Sequence, residues 1–189
     1  FAPDVTLSRN FQASGRFTGG YTNIFSLQST FDTLQFHDHY FYNNEVEFTT
    51  SKIVDSTDVL AMAHLRSARQ DIATNNLQAP MEDLSFEAIW SGGHIDCQQY
   101  IRRQGTDNYA NLLGEVEVLS DSTLVRFQPS NLQVLDQSWQ FTPQNQILLS
   151  NGDVIFNQFK LYSETDGLRQ EVSALGTLSA NPDKQLTMR

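Results

Sequence analysis

Alternation with period two constrains this chain more than any other feature. Val5 and Leu7 alternate with polar neighbours, then Phe11, Ala13, Gly15 and Phe17, then Phe25 and Leu27, then Leu34 and Phe36. Side chains two apart share a face of a strand, so each run describes a strand with one apolar and one wet face. Gly19-Gly20 and Asn43-Asn44 are expected turns, with Val46 and Phe48 resuming the alternation after the second. Leu84, Phe86, Ala88 and Trp90 share a face, and Ser91-Gly92-Gly93 turns the chain into a strand from Ile95 to Ile101. Ala110, Leu112, Gly114, Val116 and Val118 alternate, and Ser120-Asp121-Ser122 leads to Leu124–Gln128. Short strands follow at Leu132 and Val134, at Trp139 and Phe141, and, after a turn at Pro143 to Asn145, at Ile147 and Leu149.

The strongest hairpin signals are Asn151-Gly152-Asp153 and Asp166-Gly167. Between them Val154 and Phe156 give way to Phe159 and Leu161 with a one-residue slip, which predicts a bulge. Val172, Ala174, Gly176 and Leu178 form the next strand, Asn181-Pro182-Asp183 a turn, and Leu186 and Met188 the last strand. Only Ser56–Asn75 reads two ways. Thr57 would cap a helix through Val59, Met62, Ala63 and Arg66, yet Val59, Ala61, Ala63 and Leu65 also alternate, and the strands on both sides favour strand. The count is roughly fifteen short strands at the 8–12-residue spacing of antiparallel all-β proteins. No shift of composition marks a linker, so residues 1–189 are expected to form a single β-rich domain.

Composition narrows what such strands can serve. Apolar residues make up 39% and charged residues 18%, the balance being uncharged polar side chains that suit wet strand faces. Thirteen Phe, 6 Tyr and 2 Trp supply surface to bury, which argues against disorder. A net charge of −10 with no basic stripe excludes nucleic acid as a natural partner and disfavours adsorption to anionic lipid. Cys97 is the only cysteine, so neither an intrachain disulfide nor a cysteine-based zinc site can form. The chain opens on Phe1 without signal peptide or spanning segment and stops inside an alternating pattern, as expected of an internal or C-terminal-region piece of a longer protein.

Three constellations carry potential chemistry. His37-Asp38-His39 places two imidazoles on one face if it is strand, the seed of a zinc or copper site; the alternative is a polar turn before Tyr40-Phe41-Tyr42. His94, Asp96 and Cys97 suggest a nucleophile with a base, but Asp96 and Cys97 diverge on a strand and no nucleophile elbow is present. Glu115 and Glu117 share a face and admit a paired-carboxylate reading, against a simple solvated strand face. No phosphate loop or metal motif occurs, so the expectation is a protein without catalytic residues, metal or cofactor. What remains is surface. Strands with one apolar face must close as a sandwich or barrel, or curl into an open trough that holds something greasy.

The second half narrows the choice. Leu124-Val125-Arg126-Phe127, Ser138-Trp139-Gln140-Phe141-Thr142, Asn151 through Leu161, and Ser173-Ala174-Leu175-Gly176-Thr177-Leu178-Ser179-Ala180-Asn181-Pro182 form a series. It resembles TamB-like proteins (translocation and assembly module) of the AsmA-like superfamily, with their W-x-hydrophobic-x-P, hydrophobic-x-N-hydrophobic and G-x-hydrophobic-S-x-N/D-P strands. Gly15-Arg16-Phe17-Thr18-Gly19-Gly20 is similar to their strand openings. The resemblance is clearest from about Leu112 to Arg189 and looser before it.

This resemblance implies an all-β fold, an elongated, mostly antiparallel curled sheet (a β-taco or groove) with an apolar interior. It implies a parent chain in the periplasm, anchored in the inner membrane outside this segment. Such a groove conducts phospholipid between inner and outer membranes, supports outer-membrane protein assembly, or both. The implied partners are phospholipid acyl chains and an outer-membrane barrel of the TamA or BamA kind. Edge strands add a route to self-association. The groove floor is expected to be Ala110, Leu112, Val116, Val118, Trp139, Phe141, Ile147, Leu149, Val154, Phe156, Phe159, Leu161, Val172, Ala174 and Leu178. Two alternatives stand beside it: the same residues as a closed sandwich core with no ligand, and a secreted β-sandwich module that binds carbohydrate or protein.

Overall fold

The computed structural model describes residues 5–74, 77–179 and 185–189. They form fifteen strands and no helix. The predicted turn at Asn181-Pro182-Asp183 and the end of the ambiguous segment at Asn75 lie outside the described residues. That segment is strand, Val59–Thr74. The chain divides into two compact units: residues 1–92 with 99–107, and residues 93–98 with 108–189.

In the first unit, β1 (Val5–Leu7) and β2 (Phe11–Thr18) both pair with β3 (Thr22–Phe36). β4 (His39–Ile53), β5 (Val59–Thr74) and β6 (Leu77–Ser91) follow as an antiparallel meander. The first half is therefore not made of short strands: β3, β4 and β6 have 15 residues each and β5 has 16. Asn43-Asn44, expected to be a turn, lies inside β4. The turn between β3 and β4 is His37-Asp38 instead, with His37 in the left-handed region at φ 53°.

The discrepancy has a physical cause. Each long strand changes parity partway along. Apolar positions in β3 are Phe25, Leu27 and Phe31, then Leu34 and Phe36; in β4 they are Phe41, then Val46 and Phe48; in β6 they are Met81, then Leu84 and Phe86. The slips are aligned, at Asp32, Asn43, Ala68 and Asp83, the positions that drop out of the pairing register. A one-residue slip sends side chains to the opposite face unless the backbone turns over with it. Left-handed Asn43 (φ 53°) and Asp83 (φ 57°) supply that turn. Polar side chains then bond the backbone along the line. Asn44 Nδ2 donates to the carbonyls of Phe31 (3.3 Å) and Phe41 (2.9 Å), and Ser67 Oγ to that of Tyr42 (3.3 Å). Arg102 ties Asp83 and its neighbour Glu82 at 2.9 Å each.

The second unit repeats the device. It holds β8 (Tyr109–Val118), β9 (Ser122–Phe127), β10 (Asn131–Val134), β11 (Gln137–Phe141), β12 (Gln146–Ser150), β13 (Asp153–Thr165), β14 (Leu168–Leu178) and β15 (Leu186–Met188). The intervening β7 (His94–Arg103) contributes its residues through Gln98. Registers show that β9 and β10 are one interrupted strand, since both pair along β8. β11 and β12 are likewise one strand, since both pair along β13. The interruptions at residues 128–130 and 142–145 line up with the predicted bulge of β13, between Phe156 and Phe159, where Gln158 has φ 52°. Among the described residues the buried apolar side chains are Phe31, Ala61, Phe141 and Ala174, so neither unit holds the filled core of a two-layer sandwich.

Candidate functional site

The expected floor residues of the second unit fall into cross-strand rows. One row runs Val116, Val125, Ile147, Phe156, Gly176; the next runs Val118, Thr123, Leu149, Val154, Leu178. Across the interruption, Ala110, Leu132 and Trp139 form a row, and Phe141, Leu161 and Val172 another. Phe159 pairs with Ala174, and Leu112 sits on β8 at the interruption itself. Val125 and Phe127 complete these rows and were missed, because Leu124 beside them blurs the alternation.

The two sets of rows converge on an aromatic cluster. Phe127 and Phe156 approach from one side of the interruption, Phe141 and Phe159 from the other. Ring centroids are 5.0 Å apart for Phe127–Phe141, 5.7 Å for Phe127–Phe159 and Phe141–Phe159, and 5.8 Å for Phe156–Phe159. Rings from both sides of the line therefore share one face of the sheet. Burial follows: Phe141 is 7% exposed and Ala174 8%, while Leu149 is 40%, Val118 51% and Leu178 56% exposed. Shelter is deepest at the interruption and falls away from it towards the row of Val118, Leu149 and Leu178.

Two buried polar residues hold the interruptions, and sequence reasoning missed both. Asn145 Oδ1 accepts the backbone N–H of Lys160 and its Nδ2 donates to the Lys160 carbonyl, both at 2.7 Å. Its side chain thus stands in for the strand pairing the interruption removes. Ser130 Oγ accepts from the Leu113 amide at 2.9 Å and donates to the Gln128 carbonyl at 2.8 Å. The only sequence signal is a polar residue at each interruption, shared with any turn.

The chemical constellations resolve as structure. His37 is in a turn and His39 opens β4, so the pair does not share a strand face; His39 Nδ1 accepts the Ala73 amide at 3.1 Å. Among the described residues no group of three or more His, Cys, Asp and Glu gathers. His94 contacts Asp96 at 3.1 Å, whereas half-buried Cys97 donates to the Gly114 carbonyl. Burial, and secondarily the charge of Asp96, raises the thiol pKa, the opposite of what a nucleophile needs. Glu117 pairs with Arg126 at 2.8 Å and Glu115 accepts from Gln128 at 2.8 Å, on a face that alternates with the rows.

Comparison with known protein families, with curated proteins and with solved structures finds no match.

Proposed function

We propose that this chain is a segment of a TamB-like, periplasm-spanning protein whose apolar β-groove conducts phospholipid between inner and outer membranes, supports outer-membrane protein assembly, or both. One observation supports it above the rest: the apolar rows of the second unit run strand to strand on one face of its sheet and meet in the aromatic cluster at the interruptions. Strand spacing of about 4.8 Å gives such rows a near-continuous apolar track. Each methylene buried against it contributes about 0.8 kcal/mol, so binding accumulates along an acyl chain without a specific pocket. The exposed outer rows leave the chain free to depart, as transport requires. The role is non-catalytic and needs no cofactor. An outer-membrane barrel of the TamA or BamA kind is the proposed receiving partner, and the periplasm the proposed site of action.

A photoreactive residue in place of Ile147 or Phe156, with Gln146 on the opposite face as control, tests this in an envelope-bearing bacterial host. Phospholipid adducts are expected at 147 and 156 and not at 146. No adduct at either inner position, or equal capture at 146, overturns the lipid reading.

A further inference from the structure

The apolar face of the first unit ends on a lone cation. Cross-strand rows on one face of β3 to β6 run from the slips towards the turn between β4 and β5. The row of Leu27, Phe48, Ala63 and Ala88 is followed by Phe25, Thr50, Ala61 and Trp90, and the last row is Asn23, Lys52 and Val59. Between the slips and that turn, Lys52 is the only charged side chain these four strands place on this face, while the opposite face carries Glu45, Glu47, His64, Arg66 and Glu87. Lys52 is exposed and makes no ion pair with any described residue, the turn acids Asp55 and Asp58 included. Trp90, in the neighbouring row, marks the same boundary. Its indole N–H donates to the Gly92 carbonyl at the strand end, while more than half of the residue stays open. An aromatic with a polar handle takes that position where apolar and wet surroundings meet.

We propose that Lys52 binds the phosphate of a phospholipid whose acyl chains lie along the strands from the β4–β5 turn towards the slips. This rests on the lipid reading of the chain and adds to it a second acyl surface and an orientation for the lipid. Charge complementarity selects the occupant: a single ammonium at the end of an uncharged apolar face matches a molecule with one phosphate and apolar tails. The length suits it as well. Eight residues of β4 separate Lys52 from Asn44 at the slip, about 26 Å of strand at 3.3 Å per residue. One leaflet of bilayer hydrocarbon is about 15 Å deep, so the tails of one lipid fit on this stretch. A chain with a net charge of −10 repels anions in general, so an unpaired cation on its apolar face gives a phosphate one place to settle.

Two phospholipid probes, one photoreactive on the headgroup and one at the acyl terminus, test this with the 189-residue chain and phosphatidylcholine vesicles that carry them. Mass spectrometry of the labelled peptides reads the position of each adduct. The headgroup probe is expected to mark the β4–β5 turn or Asn23, and the acyl probe the floor nearer the slip, at Val46 or Leu65. Lys52→Gln should lower headgroup labelling there about tenfold, and Lys52→Arg should retain it. Inorganic phosphate in excess should not compete, because it has no tails to bury. Headgroup labelling elsewhere in the native chain, or undiminished in Lys52→Gln, overturns the assignment of Lys52, and acyl labelling of either unit in the same samples would show that the lipid reading survives it. Competition by inorganic phosphate overturns it too, by making Lys52 a simple anion site. No acyl labelling on either unit sinks the assignment and the lipid reading together.

Discussion

At the scale of single residues, the fold depends on polar side chains that impersonate backbone. Asn145 is fully buried and makes both hydrogen bonds that a paired strand residue would offer Lys160. Asn145→Ala leaves a buried amide and carbonyl without partners, at a cost of about 2–3 kcal/mol. Urea denaturation should show a lower midpoint with an unchanged slope, and Asn145→Asp should recover only part of it, since aspartate accepts from the amide but cannot donate to the carbonyl. A midpoint shift within error of the native chain would show that the interruption is held by other contacts. Sequence alone could not reach this residue: Pro143-Gln144-Asn145 is legible as a turn, and nothing in it says which of its polar groups points inward.

At the scale of elements, parity slips explain both what was legible and what was not. Period two identified the strands, the Asn151-Gly152 and Asp166-Gly167 hairpins and the β13 bulge, because each is a local matter of side-chain direction or turn chemistry. It failed at Asn43, since a change of parity inside a long strand looks the same as one strand ending and another starting. Only the register across four neighbours separates the two. The left-handed conformation of Asn43 yields a prediction of its own. Asn43→Gly should leave stability nearly unchanged, whereas Asn43→Val, whose branched side chain resists φ above zero, should cost about 1–2 kcal/mol. Thermal unfolding of the two variants checks it, and equal melting temperatures would mean that the slip does not depend on that residue.

At the scale of the whole molecule, surface is the telling quantity. Few apolar side chains are deeply buried in either unit, and large ones stand open: Phe17, Leu135, Leu168 and Trp90 are all more than half exposed. The folded chain should therefore bind an environment-sensitive apolar dye at neutral pH while keeping its near-ultraviolet circular dichroism. Leu149→Glu with Leu178→Glu should lower that binding at least twofold without unfolding the protein. Undiminished dye binding by the double variant would place the accessible apolar surface away from the rows of the second unit. The apolar rows were legible in sequence because burial on one face imposes them. The aromatic cluster that gathers them was not, because it arises from interruptions lying side by side on strands far apart in the chain.

The aligned slips also govern how a chain of this kind can change length over evolutionary time. Deleting one residue from a strand reverses the facing of everything on one side of the cut and pulls its slip out of line with its neighbours. Losing or duplicating a complete hairpin does neither: two strands leave or enter together, each with its own slip, and the line passes unbroken through what remains. Relatives of this chain should therefore differ in size by whole hairpins, with single-residue insertions confined to the turns.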